Sequence, residues 1–145
     1  MDEKKREELL KKIEDYTKKI EKNPNNASYY YNRGNAYYSL GEYKKALEDY
    51  SKAIELNPNN ASYYYNRGNT FHNLKEYEKA IEDYSKAIEL NPNYSLAYNN
   101  RGNTFSILKE YEKAIDDYNK AIELNPNDDA SYYNRGNTFS ILKEY

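Results

Sequence analysis

Two columns of asparagines recur at one constant interval along the chain and are the polar groups of this sequence best suited to binding. An amide side chain both donates and accepts hydrogen bonds, which is what the backbone of an extended ligand requires whatever its sequence. The alternative is that they are exposed or capping polar groups of a repeated helix. One column holds Asn32, Asn66, Asn100 and Asn134, and the other holds Asn35, Asn69, Asn103 and Asn137.

Helical spacing places further side chains on the face of these asparagines, because residues three, four and seven apart share one side of a helix. None of the residues predicted for this face is charged. His72 has a pKa suited to acid–base work, but no carboxylate or nucleophile shares its face, so we interpret it as a polar lining residue and expect no enzyme. The candidate binding set is completed by Tyr31, Tyr38, Tyr65 and His72.

The overall composition excludes several other classes of function. The chain of 145 residues has 22 Lys and Arg against 24 Asp and Glu, so it lacks the basic surplus that binds nucleic acid or anionic membranes. With no Cys and a single His it has no means to build a thiolate or histidine metal site, and we expect neither metal nor cofactor. The charged start, with no apolar signal segment, favours a cytoplasmic or a recombinant protein.

The elements that must position the asparagines follow the same period. The asparagines of a column lie 34 residues apart. The four prolines are separated by the same 34 residues, and so is a recurring glycine, which is the signature of a repeat array. Residues 27–60 and 61–94 match at 26 of 34 positions, which favours recent duplication or deliberate design. The predicted units are an N-terminal capping helix at 1–26, full repeats at 27–60, 61–94 and 95–128, and a partial repeat at 129–145.

The pattern of residues within each repeat predicts two helices that pack as a hairpin. Apolar and small residues recur at helical spacing, Gly41 marks the bend, and Asn57-Pro58-Asn59 ends the second helix. Lysine takes the place of Gly41 in later repeats, so we expect the bend not to require glycine. We expect Ser28, Ser62 or Asp129 to cap the next helix. Because one hairpin cannot bury its apolar face alone, the fold class predicted is an all-α solenoid of about eight helices.

The pattern of recurring residue types within the unit resembles the tetratricopeptide repeat (TPR). The pattern recurs at the same positions in three successive repeats. The resemblance implies a right-handed superhelix of stacked hairpins. It also implies that the first helices line a concave groove that holds an extended peptide. In the first repeat the residues at the positions of this pattern are Tyr30, Arg33, Gly34, Tyr37, Ala46, Tyr50 and Pro58.

The same resemblance implies one binding mode that this sequence does not support. Some TPR domains hold acidic C-termini of chaperones in a clamp of lysines, an arginine and asparagines. Here Tyr31 and Leu96 replace the two lysines and Asn100 replaces the arginine. We therefore expect a peptide gripped along the asparagine columns rather than by that clamp. The rival hypothesis is a structural or self-assembling scaffold, natural or designed.

The main departure from the TPR pattern is an arginine in place of leucine on the core side of each first helix. A buried guanidinium needs a carboxylate, and each second helix supplies an aspartate in phase. Four such arginines face four such aspartates, and all of them find a partner only if each arginine pairs with the aspartate of the helix before its own. The predicted pairs are Asp15–Arg33, Asp49–Arg67, Asp83–Arg101 and Asp117–Arg135.

The two partial units are expected to behave differently. Lys12 and Lys19 occupy the phase of Ala46 and Ala53, so the N-terminal helix is interpreted as a polar cap. In the last unit the face formed by Tyr132, Gly136 and Phe139 has no second helix to cover it. We expect this face to pair with its own copy about a two-fold axis as a weak homodimer.

Overall fold

A computed structural model of the chain describes residues 1–143, and within this range all regular structure is α-helical. No helix in the described range is long and apolar enough to cross a membrane. The helices are α1 (Glu3–Lys22), α2 (Ala27–Ser39), α3 (Tyr43–Leu56), α4 (Ala61–Asn73), α5 (Tyr77–Leu90), α6 (Ser95–Ile107), α7 (Tyr111–Leu124) and α8 (Asp129–Lys143).

The helices form three antiparallel hairpins stacked side by side. Hairpins α2/α3, α4/α5 and α6/α7 make the most extensive contacts, each second helix also packs on the first helix of the next hairpin, and neighbouring first helices touch. Helix α1 packs on α2 as a second helix would, and α8 packs on α7 as a first helix would. The predicted all-α solenoid of eight helices is therefore confirmed.

Local chemistry sets the helix ends differently from the sequence-based expectation. Asn26 and Asn60 are the N-caps of α2 and α4, and their side-chain oxygens accept from the backbone N–H of Ser28 and Ser62. The prediction that these serines act as caps is therefore wrong.

The bend between the two helices of a hairpin does favour glycine. Gly41 has φ +78°, and its counterparts Lys75 and Lys109 are held at +63° and +64°. A lysine adopts this left-handed conformation only at an energetic cost. The bend therefore requires a positive φ at this position, which the sequence alone did not reveal.

Each hairpin crosses where a tyrosine of the second helix lies on a glycine of the first. A Cβ added to Gly68 would stand 2.9 Å from Cε1 of Tyr84, and the same close approach occurs between Gly34 and Tyr50. Tyr84 is only 1% exposed, and Ala80 beside it is fully buried. The two helices therefore approach closely through a small residue on each, Gly68 and Ala80, and the Tyr84 ring fills the remaining gap.

The arginine pairs connect residues of the same hairpin, so the predicted pairing with the preceding helix is wrong. Arg67 donates from Nε and Nη2 to the two carboxylate oxygens of Asp83, at 2.7 and 2.8 Å. The reason is the crossing, since Arg67 adjoins Gly68 and Asp83 adjoins Tyr84. The preceding helix instead supplies Ser51, whose hydroxyl accepts from Nη1 at 3.3 Å. Equivalent pairs are Arg33–Asp49 and Arg101–Asp117.

The two residues left over by this pairing find other partners. Asp15 is 51% exposed and pairs with Lys11 on its own helix at 3.8 Å. Arg135 donates from Nη1 to Oδ1 of Asn119 at 2.8 Å, and among the described residues it pairs with no carboxylate. Burial raises the pKa of Asp83 and Asp117, while the facing guanidinium opposes that rise.

The crossing predicts opposite effects for the same substitution at two glycines. Gly68→Ala should lower stability by about 1 to 3 kcal/mol, because the added methyl overpacks against Tyr84. Gly136→Ala, where a Cβ would meet nothing within 4 Å, should raise stability by about 0.5 to 1 kcal/mol through better helix propensity. Urea unfolding of both variants measures the difference, and equal effects would contradict the close crossing.

Candidate functional site

The first helices α2, α4, α6 and α8 present one shared face, which we call the groove. Two hollows lie in it, of about 200 and about 250 Å³. The central hollow is lined by Tyr38, Asn69, His72, Asn73, Asn100 and Asn103, above the ring of Tyr84. The N-terminal hollow is lined by Lys5, Lys12, Tyr16, Asn32, Asn35 and Ser39, above Leu9 and Ala36.

One asparagine column joins successive first helices to one another, and we call it the stacking column (Asn32, Asn66, Asn100 and Asn134). Nδ2 of Asn66 donates to the Tyr31 hydroxyl at 2.6 Å. Nδ2 of Asn100 donates to the Tyr65 hydroxyl at 2.9 Å and to Oδ1 of Asn69 at 3.0 Å. The amide nitrogens of these two central members are therefore already committed within the protein.

The other column, which we call the groove column (Asn35, Asn69, Asn103 and Asn137), is held by its oxygen atoms. Oδ1 of Asn35, Asn69 and Asn103 accepts from the hydroxyls of Tyr50, Tyr84 and Tyr118 at 2.6, 2.5 and 2.7 Å. Within residues 1–143 the Nδ2 atoms of these three asparagines donate to no protein group, so three amide donors remain available.

The orientation of the Asn69 amide follows from the donors around it. One of its terminal atoms receives hydrogen bonds from both the Tyr84 hydroxyl and Nδ2 of Asn100, and only an oxygen can accept two donors. Burial raises the pKa of Tyr84, which keeps its hydroxyl protonated as the donor. The two hydrogen bonds to Oδ1 thus fix the orientation of the Asn69 amide and with it the position of the free Nδ2.

The columns change at both ends of the array. Nδ2 of Asn32 donates to the carbonyl of Ser28 at 2.8 Å, whereas Nδ2 of Asn66 donates to a tyrosine hydroxyl. Nδ2 of Asn134 reaches Oδ1 of Asn99 at 3.3 Å, since Asn99 takes the place of Tyr65 in the third repeat. Asn137 is exposed, and no hydrogen bond joins its side chain to the rest of the described chain.

The three tyrosines predicted for the groove also contact the neighbouring first helix. Tyr31 and Tyr65 are partly buried, and Tyr31 lies 4.7 Å from the ring of Tyr63 on the next first helix. The Tyr38 hydroxyl accepts from Nδ2 of Asn73 at 2.7 Å. Asn73 also lines the central hollow, although it is not among the predicted binding residues.

His72 lies in the central hollow with one ring nitrogen committed. Nδ1 is 3.0 Å from Oγ1 of Thr104, and that hydroxyl donates its one hydrogen to the carbonyl of Asn100 at 2.9 Å. Nδ1 must therefore carry the proton, which leaves Nε2 as an acceptor. Burial lowers the pKa of His72. In the described range no group of three His, Asp or Glu side chains could hold a metal ion.

The N-terminal hollow adds charge that the sequence analysis did not assign to the groove. Lys5 and Lys12 line it from α1, although every groove residue predicted on the first helices is uncharged. The register of Lys12 with Ala46 was visible in the sequence, but its approach to Asn35 requires the packing of α1 on α2. Lys19 does not reach the hollow and instead lies 5.0 Å from the centre of the Tyr16 ring.

Known protein families and solved structures resemble most of the chain. The profile of the tetratricopeptide repeat matches residues 61–94 and 95–128, and two further TPR repeat profiles match 34–75, and 16–48 with 117–145. No curated protein sequence matches the chain.

Three solved structures illustrate the likeness. The crystal structure of MamA is 30% identical with a TM-score of 0.85, over 88% of this chain and 75% of that one. The first TPR of Spaghetti (RPAP3), bound to the HSP90 peptide SRMEEVD, is 30% identical with a TM-score of 0.79, over 81% and 93%. The second TPR domain of human RPAP3, in complex with the HSP70 peptide SGPTIEEVD, is 28% identical with a TM-score of 0.71, over 73% and 88%.

His72 predicts a pH dependence of stability. Its folded pKa lies below the ordinary value of 6.5, so the unfolded chain takes up the proton first and stability falls as pH drops through that value. His72→Ser places there the residue found at the same position in the third repeat, Ser106, which also contacts a threonine, Thr138. Urea unfolding at pH 7.5 and 5.5 should show a smaller loss for His72→Ser than for wild type. Equal losses would contradict the depressed pKa.

Proposed function

The chain belongs to the tetratricopeptide repeat family, and from this we propose that it is an interaction module that binds an extended peptide along the groove. The peptide lies across α2, α4, α6 and α8, and its backbone carbonyls accept from the groove column. We expect no catalysis, because Nδ1 of His72 donates to the Thr104 hydroxyl instead of accepting its proton, and in the described range no carboxylate is hydrogen-bonded to the imidazole. The two RPAP3 domains, whose structures hold chaperone peptides, support the general role.

The observation that carries the proposal is the set of unused amide donors on Asn35, Asn69 and Asn103. Each is held in place through its oxygen by a buried tyrosine, so no ordering of the side chain is needed when a ligand arrives. Such preorganisation reduces the entropic cost of binding. The donors address backbone groups, so recognition along this part of the groove tolerates many peptide sequences.

The spacing of the repeats suits an extended chain. Stacked helices advance by about 10 Å, and an extended peptide rises about 3.3 Å per residue. One donor of the groove column therefore serves roughly every third peptide residue. Asn69 and Asn103 both line the central hollow, which makes this part of the groove the expected centre of binding.

Removing one amide nitrogen while keeping its oxygen tests the proposal. Peptides selected from a random display library on the wild-type protein serve as probes. Asn69→Asp and Asn103→Asp keep an acceptor for the tyrosine hydroxyl but lose the donor. Each should weaken affinity about fivefold or more, the value of one hydrogen bond of about 1 kcal/mol. Isothermal titration calorimetry gives the affinities.

Asn119→Asp is the matched control, because Asn119 lies outside the groove and its oxygen accepts from Arg135. This variant carries the same change of charge and should bind the selected peptides as wild type does. Peptides that bind all three variants equally would contradict recognition by the groove column and would favour a scaffold without a groove ligand.

Self-association is a second candidate function, favoured by the exposed apolar face of α8. Tyr132 and Phe139 are 43% and 46% exposed, and nothing lies within 4 Å of a Cβ built on Gly136. We propose that this face pairs weakly with its own copy about a two-fold axis, which closes the assembly as a dimer.

Light scattering over a concentration series tests the pairing. The wild-type protein should reach a dimer at high concentration, and Phe139→Asp should stay monomeric. Leu10→Asp is the control, because Leu10 is equally exposed at 44% but lies on α1. A wild-type monomer at millimolar concentration, or oligomers that lengthen without limit, would contradict the two-fold pairing.

A further inference from the structure

The two hollows of the groove differ in charge. The central hollow is lined by amides, a neutral imidazole and tyrosines, whereas Lys5 and Lys12 of α1 line the N-terminal hollow together with Asn35 of the groove column. No Asp or Glu is among the residues that line the N-terminal hollow. The groove is therefore neutral in its centre and positive at one end.

Neither lysine of this hollow is neutralised within residues 1–143. The neighbouring lysines of the same helix behave differently, since Lys11 pairs with Asp15 at 3.8 Å and Lys18 pairs with Glu14 at 3.2 Å. Helix α1 thus pairs Lys11 and Lys18 with its own carboxylates, whereas no ion pair within 4 Å joins Lys5 or Lys12 to a carboxylate of the described residues.

Uncharged donors converge on the same space. Tyr16 stands in register with Tyr50, which donates to Asn35, but the Tyr16 hydroxyl donates to no group of the described chain. Nδ2 of Asn35 is unused, and Ser39 is exposed on the wall of the hollow. A hollow with two positive charges and several donors, and with no negative charge in its lining, is complementary to a carboxylate.

We propose that the N-terminal hollow binds a carboxylate of the peptide that occupies the groove. Lys5 and Lys12 neutralise its charge, and Tyr16 and Asn35 donate to its oxygens. This rests on the proposed function, because Asn35 belongs to both the hollow and the groove column. The carboxylate therefore lies within about three peptide residues of the first groove-column contact, by the spacing of an extended chain.

This arrangement gives the groove a direction. The charges come from the capping helix α1, whereas Tyr31, Leu96 and Asn100 farther along the groove are uncharged. A peptide with one acidic group gains charge-assisted hydrogen bonds only when that group points toward α1. The carboxylate can belong to an Asp or Glu side chain or to the C-terminus of the peptide, and the two sources differ in how they respond to amidation.

The experiment uses one short peptide selected on the wild-type protein, in four forms: unchanged, amidated at its C-terminus, with its acidic side chains replaced by their amides, and with both changes. Fluorescence anisotropy measures each form against wild type and against the double variant Lys5→Gln/Lys12→Gln. The double variant Lys11→Gln/Lys18→Gln is the control, because it removes the same charge from the outer side of α1.

Wild type should lose at least fivefold in affinity when the carboxylate is removed. If amidation of the peptide lowers the affinity, the hollow binds the C-terminal carboxylate. If replacement of the acidic side chains lowers it, the hollow binds an Asp or Glu carboxylate. Lys5→Gln/Lys12→Gln should bind all four forms with the same reduced affinity, and the control should behave as wild type. Affinity of the acidic form for wild type should fall more steeply with salt than that of the neutral form.

Two results would overturn the proposal. Either all four forms bind wild type equally, or the outer-lysine control loses as much affinity as the Lys5→Gln/Lys12→Gln variant. In both cases a continued loss of binding in Asn69→Asp and Asn103→Asp would leave the groove-column mode standing. Peptides indifferent to Asn69→Asp and Asn103→Asp would instead contradict the proposed function itself.

Discussion

The contact of a tyrosine ring with a glycine at each hairpin crossing is the constraint on which the rest of this structure depends. Tyr84 reaches over Gly68 so closely that a methyl group on the glycine would overlap the ring. The ring fills the space between the helices, and its hydroxyl emerges beside Asn69. One residue therefore sets both the distance between two helices and the orientation of an amide on the opposite, groove-facing side.

The charged pairs follow from the same crossing. Arg67 and Asp83 are the chain neighbours of Gly68 and Tyr84, so closing the crossing brings their side chains together inside one hairpin. The third guanidinium donor then reaches Ser51 on the preceding helix. Arg33, Arg67 and Arg101 each join three helices in this way, and a two-pronged carboxylate contact rather than solvent compensates their burial.

The sequence predicts the repeat, the hairpins and the groove face, because the repeat period and helical spacing fix these without knowledge of contacts. It does not predict the arginine partners, because Arg33 lies nearly midway along the chain between Asp15 and Asp49, and periodicity cannot distinguish the two. Nor does it distinguish the two asparagine columns. Which amide nitrogen remains free depends on a tyrosine hydroxyl of the second helix and on the helix of the next repeat.

The central claim is that packing leaves the groove-column nitrogens free and commits the nitrogens of Asn66 and Asn100. Hydrogen exchange of the side-chain amides, followed by NMR, tests this directly. In the free protein the NH₂ groups of Asn66 and Asn100 should exchange slowly, and those of Asn69 and Asn103 should exchange fast and become protected only when a selected peptide saturates the groove. Fast exchange for all four, or no added protection of Asn69 and Asn103 by peptide, would contradict the account.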